Sequence, residues 1–510
     1  MAVRSVLFLG VFFAAAFPAR ASSSPDRGNV KITIFHTNDI HGWIQARPVG
    51  ISARGPEDAG DRRIGGMAAL ASVVRGETGP KLLLDSGDWF QGTPEGTLTR
   101  GDAVVDCMNA LGYDAIAPGN HDFDLGKDNL RRLVRAFRAP VLGANVYEGR
   151  RRYLKPYLIK TVAGVRVGIF GLLTTRMRQL SFAKNIAGLS FRREVDEARD
   201  AVGELRKRGA TVIIALTHVG LETPERAPFE GDRFLASEVP GIDMILGGHT
   251  HYRHTELIAG SKGWLAQAGS YLTHVGKVVI EVDPSTRRVI RSTGTLIPLW
   301  VDDVGEAGEV AAIVKRHEEW VGRAVEVVVG TATQTLVTSR TAESALGDWM
   351  TDCTREWAET QIAFQNSGGI RANLPAGPIT LRRLFQIMPF DNAVVTLRLA
   401  GADLLRLLER GVSGGAGMIQ VSGLRFSYEP SASFGNRVRT VKVAEAPLIS
   451  SATYTLAAPD FLVQGGDGYT AFSAGTNAEN TGMLIRDVLA WCATQHSPVQ
   501  VPLGRRINKE

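Results

Sequence analysis

Residues 30–42 read VKITIFHTNDIHG: a short apolar run of strand character, Lys31 to Thr37, that stops in a polar turn holding Asp39 and His41. The same theme returns up to about residue 300, each time as an apolar run, a polar or Gly-rich turn, and often a segment of helical periodicity. The later runs are Lys81 to Leu84, Ala115 to Pro118, Val165 to Phe170, Thr211 to Leu216 and Met244 to Leu246, and Glu194 to Arg208 carries a helical pattern. Such alternation predicts an α/β layered domain.

The turns after these runs carry the chemistry. Asp39 and His41 lie in HTNDIHG, Asp88 in DSGDWF, Asn120 and His121 in GNHD, His218 in ALTHVG, and His249 and His251 in GGHTH. In layered α/β folds ligands bind beyond the carboxyl ends of the strands, so separate turns can converge on one pocket. Carboxylate oxygens, imidazole nitrogens and an amide carbonyl suit hard or borderline divalent cations, and no thiolate is among them. A carboxylate such as Asp88 can bridge two cations, and two cations roughly 3.5–4 Å apart clamp a phosphoryl group and acidify a bound water. A single histidine is usually structural, but five of the ten fall in these turns. His36, His254 and His274 keep a structural reading, with His254 close enough in sequence to stand behind the ligands. His121 precedes Asp124 by three residues, so a carboxylate on one ring nitrogen can orient the imidazole for proton transfer.

Working outward, the chain has 510 residues, more than one core supports, so two domains are expected. Its net charge is +6, but the basic residues are scattered and form no run, which argues against polymeric nucleic acid as a partner. Residues 1–21 have the form of a cleaved export signal: Arg4, an apolar stretch from Val6 to Phe17, and Ala19-Arg20-Ala21. That stretch is shorter than the roughly 20 residues of a spanning helix. A periplasmic or extracellular protein without a membrane span is expected. Cys107, Cys353 and Cys492 are too few and too far apart for a disulfide framework, and are expected to be buried small hydrophobes.

Glu306 to Val325 has helical periodicity and reads as a linker spanning 306–326 between a domain at 30–305 and a second at 327–510. The second domain is expected to be α+β, with strands such as Ala393 to Leu399 and Thr453 to Ala457 and a helix near Asp403 to Arg410. It offers Arg340 in SRTAES, Asn366 and Arg371 in NSGGIR, Phe390 and Asn392 in MPFDN, and Phe461 and Asp467 in DFLVQGGDGY. Arginine forks suit phosphate oxygens, paired phenyl rings can sandwich a flat base, and a carboxylate can accept from sugar hydroxyls.

The series HTNDIHG, GDWFQG, GYDAIAPGNHDFDLG, THVG and GGHTH resembles the calcineurin-like metallophosphoesterases, and specifically the 5'-nucleotidase family, along essentially the whole mature chain. The resemblance implies a four-layer α/β/β/α catalytic domain followed by an α+β 5'-nucleotidase domain. It also implies two divalent cations, zinc or manganese, one held by Asp39, His41, Asp88 and His251 and the other by Asp88, Asn120, His218 and His249. His121 and Asp124 become a catalytic dyad assisting attack by metal-bound water. Phe390 and Phe461 become the base sandwich, Asp467 the ribose contact, and Arg340, Asn366 and Arg371, with Asn392 as a further candidate, the polar clamp. The family's C-terminal domain rotates about the linker, and its substrate is a small nucleotide.

Three other readings stay open. A 2',3'-cyclic-nucleotide phosphodiesterase with 3'-nucleotidase activity shares the ligands, although such relatives typically carry Asn where Asp124 stands. Nothing in the sequence excludes cleavage of UDP-sugars, di- or triphosphates. An inactive metal-dependent nucleotide-binding protein fits poorly with so complete a set of residues. The charged, Gly-rich stretch from Arg47 to Arg63 is expected either to border the mouth of the site or to be a solvated loop. Preferred base and oligomeric state are not readable.

Overall fold

The computed structural model describes residues 29–48, 62–222, 230–258, 263–415, 417–501 and 503–510. The expected export signal and most of the 47–63 stretch lie outside the described residues.

The strand Val30–Thr37 sends Ile32 and Ile34 to one face and Phe35 to the other, the period-2 alternation of a strand covered on both sides. It sits in the middle of a five-stranded sheet, parallel to Lys81–Asp85 and antiparallel to His274–Val282. A second, six-stranded sheet is built around Val165–Leu173, Val212–His218 and Met244–Leu246, which run parallel. The two sheets pack face to face through Ile32, Ile34, Leu82 and Leu84 on one side and Val167, Ile169, Ile214 and Leu216 on the other. Helices Met67–Gly76, Asp102–Leu111 and Gly126–Ala136 cover the outer face of the first sheet, and Glu194–Lys207 and Asp232–Glu238 that of the second. The domain is thus layered α/β/β/α.

Helix Gly308–Val325 buries Val310 and Val314 in the same core as Met67 and Leu70, so it is packed along the catalytic domain instead of standing free. Beyond it, a five-stranded sheet containing Ile362–Asn366, Ala393–Ala400 and Thr453–Pro459 is covered by helices Ala345–Trp357, Gly401–Gly411 and Ile485–Gln495. A four-stranded sheet around Leu424–Tyr428 completes an α+β domain.

The cysteine expectation needs correction. Cys353 and Cys492 form a disulfide between helices Ala345–Trp357 and Ile485–Gln495, and only Cys107 is free and buried. A separation of 139 residues leaves no spacing signal, because the pairing is created by packing two distant helices.

His36 is fully buried in the strand that leads into the first metal-type turn, and neither ring nitrogen has a hydrogen-bond partner. Burial pushes it down to about 4, so it stays neutral. The ring occupies the space a side chain at Gly276 would need: a Cβ there would lie 1.8 Å from His36 Nε2. Gly276→Ala should therefore cost about 1–3 kcal/mol of stability by overpacking. Adding His36→Ala should return part of that loss. Chemical denaturation of the two variants against the parent checks both statements, and a neutral Gly276→Ala would contradict the packing.

Candidate active site

The turns that follow Val30–Thr37, Lys81–Asp85, Val212–His218 and Met244–Leu246 meet at one end of the two sheets. They are held in costly backbone. Asp39, His41, Asp88, His249 and His251 all have positive φ, between 51° and 78°. Left-handed conformations at non-glycine residues cost on the order of 1–3 kcal/mol each and survive only where the surroundings enforce them. Here the turns brace one another: Asp39 N–H donates to Gly87 O (2.8 Å), His41 N–H to Asp88 O (2.9 Å) and Tyr271 N–H to Asp39 O (2.7 Å). Glycine is needed where they touch, since a Cβ on Gly119 would fall 2.1 Å from Asp88 Oδ1.

Asp122 supplies the strongest brace. Its buried carboxylate accepts the backbone N–H groups of Asp88 (2.9 Å), Trp89 (2.9 Å) and Gly119 (2.7 Å), joining the DSGD and GNHD turns. On the other side Asp232 accepts from Thr217 Oγ1 (2.6 Å) and Gln267 Nε2 (3.3 Å), behind His218 and the GGHTH turn. Neither aspartate was singled out from the sequence. Asp122 sits between two residues given catalytic or ligand roles, and Asp232 lies in a stretch without a Gly-flanked turn motif.

The side chains converge as follows. His218 Nε2 is 3.1 Å from Asp88 Oδ2, His41 Nε2 is 3.6 Å from Asp88 Oδ2, and His251 Nε2 is 3.1 Å from Asp39 Oδ1. Asp39, His41 and His251 form one compact donor group, and Asp39, Asp88 and His218 another. His249 Nδ1 lies 2.8 Å from Asn120 Oδ1. Ring orientation reveals what the cluster suits. His41 Nδ1 faces Gln91 O at 2.7 Å and His218 Nδ1 faces Ser86 O at 2.6 Å. A carbonyl only accepts, so each Nδ1 carries a proton, and Nε2 of each ring is left facing the carboxylates. Carboxylate oxygens and imidazole nitrogens gathered this closely form a donor set that fits divalent cations.

The charges are correspondingly displaced. Burial raises Asp39 to about 6, whereas Asp88, in spite of burial, is held well below the usual carboxylate range by His218 and His121. Burial would lower His218, but Asp88 and Asp39 outweigh it and lift the group to about 10; burial pushes His41 and His249 well down. His121 Nδ1 is 2.8 Å from Asp124 Oδ2, and its backbone N–H donates to Asp88 Oδ1 at 2.8 Å. Against burial, Asp124 and Asp88 raise the imidazole. His254 is turned away to Glu256, 3.3 Å from its carboxylate.

The C-terminal domain reaches the same place. One cavity of about 750 Å³ is lined by Asp88, Asn120, His121, His249 and His251 and also by Arg340, Asn366, Arg371, Phe390, Asn392, Phe461 and Asp467. Arg371 Nη2 lies 3.3 Å from His41 Nε2, and the Phe390 ring is 5.4 Å from that of His121. Asn366 Nδ2 donates to Asp467 Oδ2 at 2.7 Å, and Asn392 Nδ2 to Asp460 Oδ1 at 3.1 Å. Three further cations, Arg176, Lys184 and Arg410, line the cavity, and Arg410 Nε donates to Asp467 O at 2.8 Å. Arg176 and Lys184 come from a catalytic-domain segment that carries no motif.

Comparison with known proteins agrees with this architecture. The calcineurin-like phosphoesterase family matches residues 32–253, and the 5'-nucleotidase C-terminal domain matches residues 328–474. The chain is 31% identical to the snake venom 5'-nucleotidase of Crotalus adamanteus, over 94% of this chain and 88% of that protein. It belongs to the 5'-nucleotidase family. Among solved structures, a 5'-nucleotidase precursor from Thermus thermophilus superposes with a TM-score of 0.84 at 30% identity, covering 94% of this chain and 99% of the other. Protein UshA of Yersinia enterocolitica is 27% identical over 92% of each chain. As a member of the 5'-nucleotidase family with a phosphoesterase domain, the protein is a hydrolase acting on nucleotide phosphoesters.

The grip of Asp122 gives a prediction. Asp122→Ala leaves three backbone N–H groups without their acceptor and lets the Asp88 turn drift. Bound divalent metal should weaken by about 10- to 100-fold, the usual cost of losing a residue that orients metal ligands. Metal titration by calorimetry checks this, with circular dichroism confirming that the variant is folded; unchanged affinity would show that Asp122 does not set the turn.

Proposed function

We propose that this protein is an exported phosphohydrolase that releases phosphate from nucleoside 5'-monophosphates. The observation that carries the proposal is one cavity lined both by Asp88, Asn120, His249 and His251 and by Arg371, Phe390 and Phe461, with Phe390 5.4 Å from His121 inside it and Arg371 also 3.3 Å from His41.

Asp39, His41, Asp88 and His251 would hold one divalent cation, zinc or manganese, and Asp88, Asn120, His218 and His249 a second. When bound, such a pair supplies Lewis-acid polarisation of the phosphoryl group and a water acidic enough to act as nucleophile at neutral pH. The chain's own residues do the rest. Arg340, Asn366 and Arg371 orient the phosphate and neighbouring polar groups, the planar guanidinium forks matching its oxygens. Phe390 and Phe461 take the base between them. Asp467, held by its bond from Asn366, accepts from the ribose hydroxyls. Asp124 fixes Nδ1 of His121, which leaves Nε2 to donate a proton to the departing O5' as the P–O5' bond breaks. At about 750 Å³ the cavity is at the large end for a small-molecule site. That volume leaves room for nucleotides larger than a monophosphate, UDP-sugars and di- or triphosphates among them.

Export is supported by the Cys353–Cys492 disulfide, a bond that persists in oxidising compartments. No helix among the described residues is long and apolar enough to cross a membrane.

Phosphate release from 5'-AMP, 3'-AMP and 2',3'-cyclic AMP, and coupled detection of UMP from UDP-glucose, test the reading. We expect 5'-AMP to be preferred with zinc or manganese present and turnover to collapse on chelation. Preference for the cyclic or 3' ester would overturn the substrate assignment. His121→Ala should lower kcat by about 10²- to 10⁴-fold while bound metal stays within twofold.

A further inference from the structure

We infer that Phe182, a residue of the catalytic domain, forms a third aromatic wall of the nucleoside pocket and sets how tightly the base is held. This rests on the nucleotide reading above and names a specificity residue within it. Phe182 lies between strands Val165–Leu173 and Leu189–Phe191, across the domain boundary from Phe461. The two rings meet edge to face, with centroids 6.1 Å apart and planes at 84°. Both line the cavity.

The position of each ring is determined by its own domain. Phe461 rests on Gly466, where a Cβ would come within 2.5 Å of its Cζ. Phe461 thus has no room to move toward Gly466, and Phe182 stands nearly perpendicular to it. Phe182 has Lys184 Nζ 5.6 Å from its centroid. The segment carrying it is tied to the His121–Asp124 pair, because Asn185 Nδ2 donates to Asp124 O at 2.7 Å and Lys127 N–H donates to Asn185 O at 2.9 Å. At its other end, helix Met177–Leu180 packs on the turn Gly466–Gly468 that presents Asp467. A base stacked on Phe461 meets Phe182 at its rim, and Phe182 is at a set distance from the reacting end of the site. A catalytic-domain ring thus measures the base while the C-terminal rings stack on it.

The test compares 5'-AMP with ribose 5-phosphate, which presents the same phosphomonoester without a base, on metal-loaded full-length protein. For Phe182→Ala we expect KM for 5'-AMP to rise about 3- to 10-fold, the scale of one aromatic contact, with kcat within twofold. KM for ribose 5-phosphate should move less than twofold, and Phe182→Tyr should restore the parent value for 5'-AMP. Should Phe182→Ala fail to fold, Phe182→Leu carries the same comparison. If KM for both substrates rises together, the ring only props the domain boundary; if neither moves, it does not touch the base. Either result overturns the inference. A parent protein that hydrolyses ribose 5-phosphate but not 5'-AMP would instead overturn the nucleotide reading itself, and this inference with it.

Discussion

Two buried carboxylates, Asp39 and Asp88, have to share one water-poor pocket, and most of the catalytic domain is arranged around that requirement. Unpaired charge is expensive away from water, so carboxylates in this position need opposite charge close by. The strand ends at Thr37, His218 and Leu246 deliver imidazoles to them, and His41 and His218 are oriented by Nδ1 bonds to Gln91 O and Ser86 O so that Nε2 faces inward. The left-handed backbone at Asp39, His41, Asp88, His249 and His251 is the local cost of making turns short enough to do this. Asp122 and Asp232 stand directly behind the site, and burial raises both, Asp232 to about 7.

The same pocket explains how two domains become one site. Arg371 reaches His41, and Arg382 is ion-paired both with Glu95, fully buried behind the Asp88 turn, and with Glu326 just past helix Gly308–Val325. Removing Arg382 would strand the Glu95 charge in the protein interior.

Much of this was legible in the residues, for physical reasons that differ from place to place. Short apolar runs such as Lys31 to Thr37 and Val165 to Phe170 mark strands buried on both faces, and Gly-flanked turns after them mark where side chains can converge. The sequence expectation for helix 194–208 meets the helix Glu194–Lys207 within one residue, since a long amphipathic pattern is hard to misread. The disulfide was not legible, because helix packing alone brings Cys353 to Cys492. Nor was the role of residues 176–185: Phe182 and Lys184 follow no turn motif and acquire meaning only when the C-terminal domain lies opposite them. Asp122 was hidden in plain view, its work being done on backbone N–H groups that no sequence pattern displays.

The measurement closest to the central claim is anomalous diffraction at the zinc edge from crystals of the zinc-loaded protein. Two peaks per chain are predicted, both in contact with Asp88, one also touching His41 and His251 and the other His218 and His249. A single peak, or zinc bound away from Asp88, would contradict that claim.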